Sequence, residues 1–303
     1  MTTALDVFVN NILPIFLVAG LGFALRRVWQ VDKQAISRAV FYVLSPCLLF
    51  SSLVNAVVPP QELIRLAWFA VISLSLMAGI SWVVGRVLRF QPEETAVLML
   101  AAMFSNSANY GLPLNQLRYG ETGVAHAIPY VIVSTVLVYT VGVLIASAGR
   151  RPWREALSGL ARLPILYVVV VALIIYGFQI KLPLFFIRGV KLAGDGALPV
   201  MLLVLGMQMA DIRQIARWRL TIPAVAMRLV VGPVAGALTV LGLGLMGQSR
   251  ASSLLEASMP IAVVTTILAT EYDLYPEAIA GMVVLSTLLS PFTITAVIQW
   301  VGI

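Results

Sequence analysis

The sequence predicts an all-α integral membrane protein, with ten transmembrane helices in two inverted five-helix repeats. Three observations carry that expectation. Of 303 residues, 60% are hydrophobic and 11% charged, with mean hydropathy +0.98, whereas soluble domains carry about 25% charge. The apolar residues gather into ten runs, each near the roughly 20 residues that cross a bilayer. Lys and Arg then fall mainly in alternate connections, as they do when those connections face the cytoplasm.

The runs are read between charged or Pro/Gly interruptions. Val7–Leu25 ends at Arg26-Arg27. Its start, "MTTALDVFVNN", lacks the basic region of a cleaved signal peptide, so this run is expected in the mature protein. Ile36–Val57 runs up to Pro59-Pro60, and Leu63–Leu88 continues from there to Arg89. Thr95–Leu117 opens after Glu93-Glu94, and Gly123–Ala148 after Tyr119-Gly120. Leu160–Phe178 and Leu184–Ala210 are parted by Lys181 and Pro183. Leu220–Met246, Ser252–Thr270 and Pro276–Trp300 complete the set, divided by Arg250 and by Tyr272-Asp273. The first repeat is then residues 1–152 and the second 153–303.

The odd connections hold 13 Lys and Arg residues, among them Arg26, Arg86, Arg150, Arg151, Arg154, Arg162 and Arg213; the even ones hold 5. Both termini are therefore expected outside, with the odd loops in the cytoplasm. Spread over short loops, the net charge of +7 forms no nucleic-acid patch. One Cys (Cys47) and one His (His126) exclude a disulfide framework and a Cys/His metal cluster. No cofactor motif appears. Trp29, Trp68, Trp82, Trp153, Trp218 and Trp300 lie near span ends, as aromatic belts do.

Five spans followed by five more suggest duplication, and an odd-numbered repeat must insert inverted. An offset of 153 residues sets Pro46 on Pro199, Arg38 on Lys191, Tyr119 on Tyr272 and Ser105 on Ser258. The same offset lays Asn106-Ser107 against Met259-Pro260, so both fourth spans are interrupted at matching positions. The stretch "FSNSANYGLPL", residues 104–114, fits hydrocarbon poorly. Proline removes an N–H donor and glycine loosens the backbone, so Gly111, Pro113 and Pro260 are the expected helix breakers. Such breaks are tolerated where they line a cavity, and a pair of them points to a midplane substrate site. Half-helix N-termini there suit an anionic group. Asn106 and Asn109 share a helical face, and their amides can hold a carboxylate without burying a Lys. Ser107, Tyr110, Met259, Pro260 and Thr265 complete the expected substrate-binding set.

Ionisable residues inside spans are functional hypotheses. Asp195 follows Lys191 by four residues and is expected to pair with it. Arg228 and Glu256 either bridge one another or carry charge or protons. His126 reads as interfacial. Without a phosphate-binding loop, ATP drive is unsupported. Without HExxH, GxSxG or a base for Ser105 or Ser107, an intramembrane enzyme is disfavoured. A channel is the other competing reading, and protons or sodium remain open as the coupling ion.

The stretches "LPIFLVAGLGFALRR", "VFYVLSPCLLFSSL", "NSANYGLPL", "ASMPIAVVTTILATEYDL" and "VVLSTLLSPFTI" resemble, in order along the chain, the auxin efflux carrier family. The resemblance implies an architecture similar to bile-acid and sodium/proton antiporters, with broken, crossing helices 4 and 9. It implies a scaffold domain from helices 1, 2, 6 and 7, a transport domain from helices 3–5 and 8–10, and elevator-type alternating access. The implied cargo is a small organic anion: malonate or malate in bacterial members, auxin in plant ones. A homodimer through the scaffold domain is an open expectation. Many relatives show a double proline where Pro260-Ile261 stands here, and the long loop of some plant members is absent after Ala148.

Overall fold

A computed structural model describes residues 3–55, 58–147, 163–212 and 215–301. Among these, the chain is helical, and its one extended pairing is an antiparallel bridge between Ser105 and Ile261. The helical segments are α1 (Ala4–Arg27), α2 (Lys33–Val54), α3 (Pro60–Val87), α4 (Pro92–Met103), α5 (Ser107–Ala146), α6 (Pro164–Gly177), α7 (Leu184–Ala210), α8 (Trp218–Leu243), α9 (Gly247–Ala257), α10 (Val264–Glu271) and α11 (Pro276–Val301). Seven of them are long and apolar enough to cross a membrane: α1, α2, α3, α5, α7, α8 and α11.

Seven such helices stand where ten spans were expected, and three places differ: α6 has only 14 residues, α5 is one long segment, and α9 and α10 are short. Segment α5 is 40 residues long, but Gly120 interrupts it with φ 66° and ψ −157°, a backbone region open to glycine. A Cβ on Gly123 would lie 2.7 Å from the Asn115 carbonyl oxygen. Eight residues of straight helix would separate them by about 12 Å, so the chain turns sharply there. The expected fourth span is divided between α4 and the start of α5, and the expected ninth between α9 and α10. Arg150, Arg151, Trp153, Arg154, Arg162 and Arg213 lie outside the described residues.

Packing sorts the helices into two groups. Helix α1 lies along α7, and α2 packs on α6 and α7. Their contact is close at two glycines: a side chain on Gly22 would strike the Leu203 backbone, and one on Gly206 the Ala19 carbonyl. In the second group α3 packs against α4, α5 and α8, while α9 packs against α5, α8 and α11. Outward faces are apolar, with Leu13, Leu17 and Leu21 of α1 and Trp68 and Trp82 of α3 all exposed. Water would penalise those faces, whereas lipid does not.

At one end of the first group, Asp211 receives Arg26 Nε at 2.7 Å and Lys33 Nζ at 2.5 Å. It thereby ties the ends of α1 and α7 to the start of α2. Burial alone would raise the Asp211 carboxyl, but the hydrogen bonds from Lys33 and Arg26 outweigh it and hold the group below its ordinary value. A depressed carboxylate stabilises the fold above its unfolded value of about 3.9 and loses that contribution as pH falls through the folded one. Asp211→Asn is therefore expected to lower the unfolding temperature at neutral pH. The gap to the parent should close as pH drops below about 4, and a thermal-unfolding series in pH checks it.

Candidate functional site

The opening of the site is the interruption between α4 and α5. Phe104 leaves helical geometry (φ −96°, ψ 119°) and Asn106 follows at φ −75°, ψ 56°. Between α9 and α10 the chain is likewise extended through Pro260–Ala262. The two stretches meet as an antiparallel pair: Asn106 N–H donates to the Pro260 carbonyl at 2.8 Å, and Ala262 N–H to the Phe104 carbonyl at 2.9 Å. Ile261 N–H donates to Ser286 Oγ at 3.1 Å, and Ser105 Oγ to Tyr130 Oη at 3.2 Å. Backbone groups that a broken helix leaves unpaired thus find protein partners, as an apolar surrounding requires.

These bonds correct the expected breakers. Gly111 and Pro113 lie inside the opening turns of α5, after the interruption rather than at it. A π turn spans Ser107–Gly111, and Pro113 sits at the start of the regular helix that follows, where proline is tolerated. Only Pro260 stands within the extended stretch itself. There its missing N–H costs nothing, because it contributes a carbonyl.

Two cavities lie between the two helix groups, and the first of them borders the paired extended stretches. The first, about 360 Å³, is floored by Ser105, Asn106, Ser107 and Asn109. Its walls come from Leu48 and Leu49 of α2, Val131 and Ser134 of α5, and Met201, Val204 and Gln208 of α7, with Arg38 also in the lining. Asn106 Nδ2 and Gln208 Oε1 are buried without a hydrogen-bond partner. The first-turn N–H groups of α5, at Ala108 and Asn109, precede any acceptor within their own helix. Donors and a partial positive charge therefore collect at the floor of a mostly apolar chamber, an arrangement that suits a carboxylate. The second cavity, about 810 Å³, contains Asn55, Gln116, Glu121, Lys191 and Asp195 in its lining. Leu48 lines both cavities, and it packs with Leu112, Val124 and Ile128 in one apolar cluster.

The other expected site residues lie elsewhere. Tyr110 is fully buried, edge-on to Phe16 at 6.2 Å, with Ser290 Oγ donating to its hydroxyl at 3.4 Å. Met259 is buried with Tyr110 and Leu255, Thr265 donates to the Ala262 carbonyl at 2.6 Å, and Pro113 lines the second cavity. Lys191 reaches Asp195 at 3.3 Å as expected, and also Glu121 at 2.8 Å across the two groups. His126 is partly exposed, with Nδ1 2.7 Å from the Thr122 carbonyl oxygen.

Arg228 and Glu256 do not bridge one another. Arg228 Nη1 donates to the Ala102 and Met103 carbonyls at 2.8 and 3.3 Å, and Nη2 donates to the Ala257 carbonyl. Glu256 accepts from Asn115 Nδ2 at 2.8 Å, packs against Gly111 and lines neither cavity. Asn115 and Gln208 escaped the sequence reading. The signal available was a lone amide in an otherwise apolar helical run, as in "LGMQMA".

The family model described as Membrane transport protein matches residues 7–155 and 153–298. The chain belongs to this family, that of the auxin efflux carriers. It is similar to an uncharacterized transporter of Methanothermobacter thermautotrophicus, 24% identical over 290 residues, covering 93% of this chain and 94% of that protein. An uncharacterized transporter of Methanocaldococcus jannaschii is also 24% identical, over 86% of this chain and 87% of its own. Auxin efflux carrier component 1 of Arabidopsis thaliana is 27% identical over 145 residues, 47% of this chain but 23% of the plant protein. The protein is thus a membrane transporter, with several helices suited to crossing a bilayer.

Proposed function

We propose that this transporter is a secondary carrier of small organic anions, a dicarboxylate or an auxin-like acid, working by elevator-type alternating access. The observation that carries the reading is the extended pair at Phe104–Asn106 and Pro260–Ala262, which forms the floor of a cavity between two helix groups. In this reading α1, α2, α6 and α7 are the scaffold, and α3–α5 with α8–α11 are the moving domain. Ten spans in inverted repeats follow if Gly120 divides α5, if α4 forms one broken span with the part of α5 before Gly120, and if α9 with α10 form another. Both termini then lie outside a bacterial inner membrane, and the Arg38 end of the first cavity faces the cytoplasm. The Asn106 amide, Ser107, Asn109 and the α5 N-terminus bind the carboxylate. Tyr110, Met259, Pro260 and Thr265 support that floor from behind.

Purified protein in liposomes tests this with labelled malonate, malate and indole-3-acetate. At least one is expected to show counterflow, its uptake accelerated by unlabelled acid on the opposite side. Uptake that trans substrate never accelerates would make the protein a channel, and a chemically altered product would make it an enzyme.

A further inference from the structure

We propose that Arg228 is a built-in cation that holds the crossing of the broken helices, in the place a bound metal ion would otherwise take. The side chain is 1% exposed, yet no carboxylate pairs with it among the described residues. Its three acceptors are main-chain carbonyls, Ala102 and Met103 at the end of α4 and Ala257 at the end of α9. These are C-terminal carbonyls, which a helix leaves without internal partners. Each helix end carries roughly half a negative charge, so two converging ends amount to about one. A single guanidinium balances them. In carriers coupled to sodium, half-helix C-terminal ends and unwound carbonyls supply the ion's ligands, and here the arginine fills that role from within the chain.

The backbone is shaped for it. A π turn at Met227–Val231 places Arg228 at a widened point of α8. One turn on, a Cβ at Gly232 would lie 2.9 Å from Arg228 Cζ, so glycine keeps the slot open. The slot lies beside the floor of the cavity and lines neither cavity itself. Arg228 is accordingly a positioning residue: it acts on cargo only by fixing the crossing.

Thermal unfolding at constant ionic strength tests the assignment without knowledge of the cargo. The parent protein is expected to unfold at the same temperature in sodium chloride and in choline chloride. Arg228→Ala should unfold roughly 10 °C lower and recover part of that loss, saturably, with millimolar methylguanidinium or with sodium. Arg228→Lys, which keeps the charge, should lose much less. Saturable stabilisation of the parent by sodium would overturn the proposal, and that measurement stands even if Arg228→Ala fails to fold. Equal losses in the Ala and Lys variants with no cation rescue would also overturn it, because they would reduce Arg228 to packing.

Discussion

Asn106→Leu is expected to weaken ligand binding roughly 10- to 100-fold while leaving the empty protein at least as stable as its parent. The two effects have opposite signs because of where the amide sits. Asn106 is 4% exposed and its Nδ2 has no partner in the empty protein. A buried unsatisfied donor costs about 1–3 kcal/mol, so an apolar side chain of similar size removes a penalty. The main-chain bond from Asn106 to Pro260 does not involve the side chain and persists. With a carboxylate bound, the same amide would make a charge-assisted hydrogen bond worth about 1.5–3 kcal/mol. Its loss weakens binding roughly 10- to 100-fold. Unfolding temperature measured against malonate, malate and indole-3-acetate concentration reads both quantities, since a ligand raises it by mass action. Asn109→Ala should likewise lose the ligand-dependent rise. A parent-like rise in both variants would remove the asparagines from the site.

The membrane class of the fold was legible because hydrocarbon imposes a coarse rule, apolar runs near 20 residues, which composition and spacing reveal. The interruption was legible for the same reason: "FSNSANYGLPL" is costly against lipid. Pro260 does stand in the second break, but at the first one Gly111 and Pro113 lie beyond the interruption. Phe104 and Asn106 make it, because their backbone groups find partners on Ala262 and Pro260, 158 and 154 residues away in the chain. No local propensity encodes a pairing between two distant extended stretches. Gly111 instead serves contact, its missing side chain making room for the Glu256 carboxylate.

The charged residues show the same division. Lys191 and Asp195 share a helix, so a four-residue spacing sufficed to pair them. Glu121 comes to Lys191 only through packing of α7 beside the Gly120 turn, and spacing is silent on that. For Arg228 and Glu256 a mutual bridge was one of two open alternatives, the other a role in carrying charge or protons. Main-chain carbonyls and the Asn115 amide took their place as partners, and neither kind announces itself in a list of ionisable residues. Gln208 was hidden similarly, since only the fold turns it toward the same chamber as Asn106.

A cysteine at Asn109 is expected to react with a membrane-impermeant maleimide from the cytoplasmic side far faster than from outside, in a Cys47→Ala background. The first cavity extends from the paired stretches to Arg38, the end that faces the cytoplasm in the proposed orientation. On its other side, the packed layer of Leu48, Leu112, Val124 and Ile128 separates Asn109 from the second cavity. Reaction from outside must wait for the alternative arrangement of the two helix groups. A minor conformer a few kcal/mol higher is populated at about 0.1–10%, so the outside rate should be roughly 10- to 1,000-fold slower. Thr122→Cys in the second cavity should show the reverse preference. Inside-out and right-side-out vesicles measure both rates. An added transported acid should change the ratio, because cargo shifts the balance only through unequal affinity for the two arrangements. Equal labelling of Asn109→Cys from both sides would mean the apolar layer is no barrier, and the carrier reading would give way to a continuous pore.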